Sequence, residues 1–117
     1  MSIEQGGLEN IILNAIWFLE ENNDFDNDVT KIQKEINSKD NKWAYTTVKT
    51  ILDRLVEKGI VFRYKQSRKF YYRAQQSRIT AGEAAIQKLI KQYFNDNIIE
   101  FKDTAEKIYS EALVLSR

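Results

Sequence analysis

Apolar residues recur along this chain with a helical period in most segments and with a strand period in one short stretch. Leu8, Ile11, Ile12, Ala15, Ile16 and Leu19 fall at i, i+3, i+4, i+7, i+8 and i+11, one face of an α-helix, with Gly6 and Gly7 before them. The run ENNDFDND then interrupts, because Asn and Asp side chains bond their own backbone and favour turns. Asp28 stands where an N-cap is needed for a short second helix carrying Val29, Ile32 and Ile36. A polar loop, NSKDNK, leads to Trp43 and a third helix whose stripe is Val48, Ile51, Leu52, Leu55 and Val56. Gly59 follows at the position where a left-handed residue ends a helix.

The period changes after Gly59. Ile60, Phe62 and Tyr64 alternate with Val61, Arg63 and Lys65, and after QSR the aromatics Phe70 and Tyr72 alternate again, which predicts a β-hairpin with a basic tip. In such a hairpin Phe70, Tyr71 and Tyr72 are read as packing residues rather than base-stacking ones, and Trp17 and Trp43 likewise as core. Two more helices follow. One carries Ala85, Ile86, Leu89, Ile90 and Tyr93; the other carries Ile98, Phe101, Ala105, Ile108, Ala112 and Leu115; the breaker NDN separates them. Three helices, a hairpin and two helices give a mainly α fold with a small β wing: a winged helix-turn-helix followed by a C-terminal helical region. The expected domains are 1–78 and 79–117.

Composition removes whole classes of function. The chain has no cysteine and no histidine, so disulfides, thiolate or imidazole metal sites and the commonest catalytic bases are absent. No Gly-rich phosphate loop or arranged carboxylate pair is present, and neither an enzyme nor a cofactor is expected. No apolar run reaches the roughly 20 residues of a membrane span, and no signal-like leader opens the sequence; a cytoplasmic protein without membrane insertion is expected.

The net charge of +1 conceals a strong asymmetry. Residues 1–28 hold seven acids and no base; residues 29–78 hold thirteen bases against four acids; residues 79–117 hold five bases against six acids. A basic middle is how a nucleic-acid-binding face often shows itself in sequence, although a merely solvated surface gives the same pattern. With the apolar stripe of the third helix turned inward, Thr46, Thr47, Lys49, Thr50, Asp53 and Arg54 face outward. Thr reads base edges and thymine methyls, and Lys49 and Arg54 reach phosphates or guanine. Three β-branched threonines in five residues weaken a helix and need another purpose. Lys65, Gln66, Ser67, Arg68 and Lys69 form a tip suited to the phosphate backbone.

The stretch KWAYTTVKTILDRLVEKGIVFRYKQSRKFYYRA resembles the penicillinase-repressor family, the BlaI, MecI and CopY type. Thr47, Val48, Lys49, Thr50, Arg54, Leu55, Val56, Lys58, Gly59, Arg68, Phe70 and Tyr72 carry the match, and ENIILNAIWFLEE resembles the family's opening helix with Trp17 at its aromatic position. The resemblance implies a repressor that binds a palindromic double-stranded operator as a homodimer. It puts Thr46, Thr47, Lys49 and Thr50 on bases, and Arg54, Lys65, Arg68 and Lys69 on phosphates. It makes the C-terminal helices a dimer interface, through Ile86, Leu89, Ile90, Tyr93, Ile98, Phe101, Ile108 and Leu115. It further implies release by proteolysis of the C-terminal region, with a membrane sensor-protease as partner.

The chain departs from the family pattern in several places. Ala44 and Tyr45 replace a common Ser-Pro at the start of the recognition helix, and no Gly precedes Arg68 in the wing turn. The cysteine cluster of the copper-responsive branch is missing. The Asn-Phe bond often cut in the β-lactam-responsive branch is absent too; Phe94 and Asn95 occur in reverse order. Two other readings stay open from sequence: a winged helix that binds protein, and a ligand-sensing regulator with a pocket between its helices.

Overall fold

A computed structural model describes residues 3–116, with side chains from residue 7 onward; residues 1, 2 and 117 lie outside the described residues. Five helices and one hairpin follow in order: α1 (Ile3–Glu21), α2 (Val29–Asn37), α3 (Tyr45–Glu57), β1 (Val61–Gln66), β2 (Lys69–Ala74), α4 (Arg78–Tyr93) and α5 (Ile98–Leu115). Two compact units result, Met1–Arg78 and Ile79–Arg117. The first is a winged helix and the second a pair of helices.

The core of the winged helix gathers one stripe from each element. Ile12, Ala15, Ile16 and Leu19 of α1 meet Val29, Ile32 and Ile36 of α2, and Val48, Ile51, Leu52 and Leu55 of α3; Val61 and Tyr72 close it from the hairpin. Each fully buried side chain of this size contributes about 1.5–3 kcal/mol. The α1 stripe is rotated slightly from expectation. Leu13 is buried, whereas Leu8 and Ile11 sit at the exposed edge. The helix also starts before the first periodic residue and runs through Gly6 and Gly7.

Local chemistry fixes each junction. The Asp28 carboxylate accepts the Lys31 amide at 2.9 Å, capping α2 as the sequence predicts. The α2–α3 turn is tied at Trp43, whose amide donates to Asn37 Oδ1 at 2.9 Å while its carbonyl accepts from Gln33 and Asn37. Gly59, at φ +74°, ends α3 in a left-handed turn: the Ile60 amide reaches the Leu55 carbonyl and the Gly59 amide the Val56 carbonyl, both at 3.0 Å. At the other end Ala44 provides no side-chain cap for α3.

The hairpin pairs Val61 with Ala74 and Gln66 with Lys69, leaving Ser67 and Arg68 as a two-residue turn. Both adopt positive φ, 51° and 70°, the conformation of a type I′ turn that normally recruits Asn-Gly. Val61 faces the core and Phe62 faces out, so the inward set on β1 is the one containing Val61 rather than that of Ile60, Phe62 and Tyr64. On β2 only Tyr72 of the three aromatics is buried, and Phe70 is exposed. Asn27, buried completely in the α1–α2 loop, docks the hairpin: its carbonyl accepts the Tyr72 amide at 2.9 Å and its side-chain amide donates to the Asp24 carbonyl at 2.8 Å.

In the second unit Asn95 and Asp96 take positive φ between the helices, and Asn97 caps α5 by accepting the Glu100 amide at 3.0 Å. Phe94 and Phe101 pack edge to face at 5.6 Å. Ile90 is the one hydrophobic residue of this unit that is buried among those described.

Candidate nucleic-acid interface

Helix α3 turns Val48, Ile51, Leu52 and Leu55 inward, and the remaining positions follow from a 100° step per residue. Thr46, Thr47, Lys49, Thr50 and Arg54 are all exposed, on the outer side the sequence assigns them. The Thr50 hydroxyl donates to the Thr46 carbonyl at 2.8 Å, so its proton is committed to the helix backbone and the oxygen is left as an acceptor. Tyr45, at the first turn of α3, is 46% exposed beside these residues. In the sequence, Tyr45 stands out only as a departure from the family's common proline.

A cleft of about 270 Å³ lies between the start of α2, the start of α3 and the wing. Thr30, Tyr45, Lys49, Arg68, Lys69 and Phe70 line it, so three expected contact residues from two elements, Lys49, Arg68 and Lys69, converge. Thr46, Thr47, Thr50, Arg54 and Lys65 are not among its lining. They spread instead along the outer face of α3 and the wing.

The basic middle of the sequence divides into two sets. One set is bound by the acidic N-terminal segment: Lys58 to Glu9 at 2.8 Å, Arg78 to Glu21 at 3.0 Å, Lys69 to Asp28 at 3.5 Å, Arg73 to Glu20 at 3.9 Å, and Lys31 to Asp24. Partners in these pairs are separated by up to 57 positions, so neither run of charge shows its fate locally. The other set is mixed: Lys39 pairs with Glu35, Lys49 and Arg63 pair with Asp53, and Lys34, Lys42, Arg54, Lys65 and Arg68 make no ion pair among the described residues. Of these, Arg54 lies on the outer α3 face and Lys65 and Arg68 at the wing tip.

The wing is braced as well as charged. Tyr64 stacks on its cross-strand partner Tyr71 at 5.6 Å, and its hydroxyl lies 3.0 Å from both the Phe25 carbonyl and the Asp26 carboxylate. Burial first, and the Asp26 hydrogen bond second, raise the Tyr64 pKa above the ordinary phenol value. Arg63 lies 4.4 Å over the Phe70 ring and Lys65 5.6 Å from it.

Asp53 is only half exposed and takes part in ion pairs with both Lys49 and Arg63. Its hydrogen bond to Lys49 holds that ammonium above the ordinary lysine pKa. Among the described residues no group of His, Cys, Asp or Glu is placed to hold a metal ion, and no helix is long and apolar enough to cross a membrane.

The exposed apolar residues of the second unit form their own surface. Ile86, Leu89, Tyr93, Ile98, Ile108 and Leu115 are exposed and Phe101 is half-buried, whereas Ile90, at 8% exposure, is already covered within the chain. Two apolar clefts of about 510 and 320 Å³ run along α5, the larger on Ile98, Ile99, Ala105 and Tyr109 and the smaller between Leu89, Phe94 and Ile108. Ile99, Tyr109, Leu113 and Val114 add to this surface although the expected set did not include them.

Comparison with curated proteins returns no match. The family model described as penicillinase repressor matches residues 5–109, through both units. With that span matched and the winged-helix order of elements in place, the chain belongs to the penicillinase repressor family, a family of transcriptional repressors rather than enzymes.

Proposed function

We propose that the chain represses transcription by binding a palindromic operator as a homodimer, with the unit Met1–Arg78 on DNA and the unit Ile79–Arg117 joining the two copies. The observation that carries the reading is that Arg54 on the outer α3 face and Lys65 and Arg68 on the wing make no ion pair among the described residues and are left for another anion, while Lys58, Arg73 and Arg78 elsewhere are paired with N-terminal acids. Thr46, Thr47, Lys49 and Thr50 supply base-edge contacts, and Arg54, Lys65, Arg68 and Lys69 supply phosphate contacts.

The dimer part is supported by apolar surface along α4 and α5 that a lone chain leaves in water. A symmetric partner covers it and sets two reading helices at the spacing of a palindrome. Ile86, Leu89, Tyr93, Ile98, Phe101, Ile108 and Leu115 are the residues for that role; Ile90 supports them from beneath. Release follows from cutting the C-terminal unit, which separates the reading heads; a membrane-bound sensor-protease is the matching partner for a cytoplasmic repressor.

Fluorescence anisotropy against the duplex upstream of the chain's own gene, across a salt series, tests this. Binding with dimer stoichiometry that exceeds random duplex and weakens steeply with salt is the expected outcome, and Thr50→Ala then lowers the preference for that duplex. Equal, weak, salt-insensitive binding to every duplex would refute it and point to a protein ligand for the same face.

A further inference from the structure

One charge on the outer face of α3 has the wrong sign for a surface that meets phosphate. Asp53 lies one turn beyond Lys49 and Thr50, and its two carboxylate oxygens face two cations from different elements. Oδ2 accepts from Lys49 Nζ at 3.0 Å; Oδ1 lies 3.7 Å from Arg63 Nη1 on β1. That second oxygen is buried and accepts no hydrogen bond, so its charge is directed at the guanidinium and not at water. Arg63 is in turn held by the Phe70 ring and stands near the Tyr72 hydroxyl.

We propose that Asp53 is a discriminating residue of the DNA-binding surface: by occupying Lys49 and Arg63 it withholds two cations from contacts with phosphates of any sequence. The inference rests on the DNA-binding reading above. A phosphate that recruits either cation must displace an oriented carboxylate and leave it facing the polyanion. At an arbitrary sequence nothing offsets that exchange. At the operator, base-edge contacts from Thr46, Thr47 and Thr50 offset it, and Lys49 transfers to DNA. Arg54, Lys65 and Arg68, which have no such counterion among the described residues, provide the general attraction to any duplex. Asp53 therefore acts through Lys49 and Arg63 and widens the ratio between specific and random binding.

The experiment uses the full chain and a random-sequence 30-base-pair duplex, titrated by anisotropy between 50 and 200 mM salt. D53N, which keeps shape and removes charge, binds this duplex about 10-fold more tightly at the low-salt end, and its log K against log salt slope steepens by about 0.9–1.8, one or two extra phosphates. E57Q removes the same charge from the same helix without touching either cation and leaves the slope unchanged. A second arm needs no change at Asp53. In the otherwise native chain K49Q leaves the random-duplex slope unaltered, whereas K65Q lowers it by about 0.9.

A slope in D53N equal to the native one overturns the inference, as does an E57Q response as large as that of D53N, or a K49Q loss as large as that of K65Q. Native protein that binds duplex while D53N gains nothing sinks this inference and leaves the DNA-binding reading standing. Failure of both proteins to bind any duplex at 50 mM salt removes both.

Discussion

In the unit ending at Arg78, Ile12, Ile16, Ile32, Leu52 and Leu55 are removed from water by the chain itself; in the unit beginning at Ile79, residues of the same kind, Ile98, Ile99, Ile108 and Leu115, face outward. The two units are comparably rich in apolar side chains, so composition is not what separates them. Connectivity is. Three helices and a hairpin that share one core enclose a volume; two consecutive helices cannot, because each offers a stripe and a pair leaves most of both stripes uncovered. A segment of about 40 residues without metal or disulfide also falls at the size where independent folding needs association. The first unit therefore carries its stability alone, and the second is completed by whatever covers α5.

Substitution in the core of the first unit gives the largest expected effect. Leu52→Ala lowers the unfolding free energy by about 2–5 kcal/mol in urea titrations, since the cavity is walled by three helices and cannot collapse freely. On the proposed dimer, the matching change in the second unit, Ile98→Asp with Ile108→Asp, weakens self-association by about 2–4 kcal/mol in sedimentation equilibrium while leaving the winged-helix melting transition in place. Should that pair instead melt the first unit, the contrast between the units is wrong.

Asn27 sharpens the comparison from the polar side. Asn27→Ala removes the bond to the Asp24 carbonyl and hollows the seat of β2, for a loss of about 1–3 kcal/mol measured by thermal unfolding. Ala44→Ser offers α3 the side-chain cap it lacks and raises stability by about 1 kcal/mol in the same assay. Ser67→Gly relieves a left-handed backbone at the wing tip and adds about 0.4–1 kcal/mol, with the self-association of the second unit unchanged.

The helices were legible because each carries a stripe with the right period, and the ends of α2 and α3 because Asp28 and Gly59 announce them. The hairpin was legible as an alternation, but its inward face was not. Val61 and Phe62 are both apolar, and only the seat prepared by α3 and the Asn27 loop decides that Val61 goes in. Charge was the most misleading guide. A run of thirteen bases looks like one surface, yet Lys31, Lys58, Lys69, Arg73 and Arg78 are claimed by acids of the N-terminal segment. Asp53 was legible as an outward residue of α3, but its pairing with Arg63, which lies on another element, was not. Pattern along the chain identifies which face a residue occupies; it does not identify what waits across the gap.

The uncovered state of α5 bears on how sharply such a repressor switches. On the dimer reading, an isolated copy presents its last helix with no buried residue to protect it, and so offers its backbone readily to any protease in the cell. Copies that lose their partners are then also the ones destroyed fastest. Where release is by cleavage, as proposed, a first round lowers abundance, lower abundance yields more solitary copies, and clearance speeds up without a further signal. Turnover that depends on concentration in this way converts a brief stimulus into a sustained release of the gene.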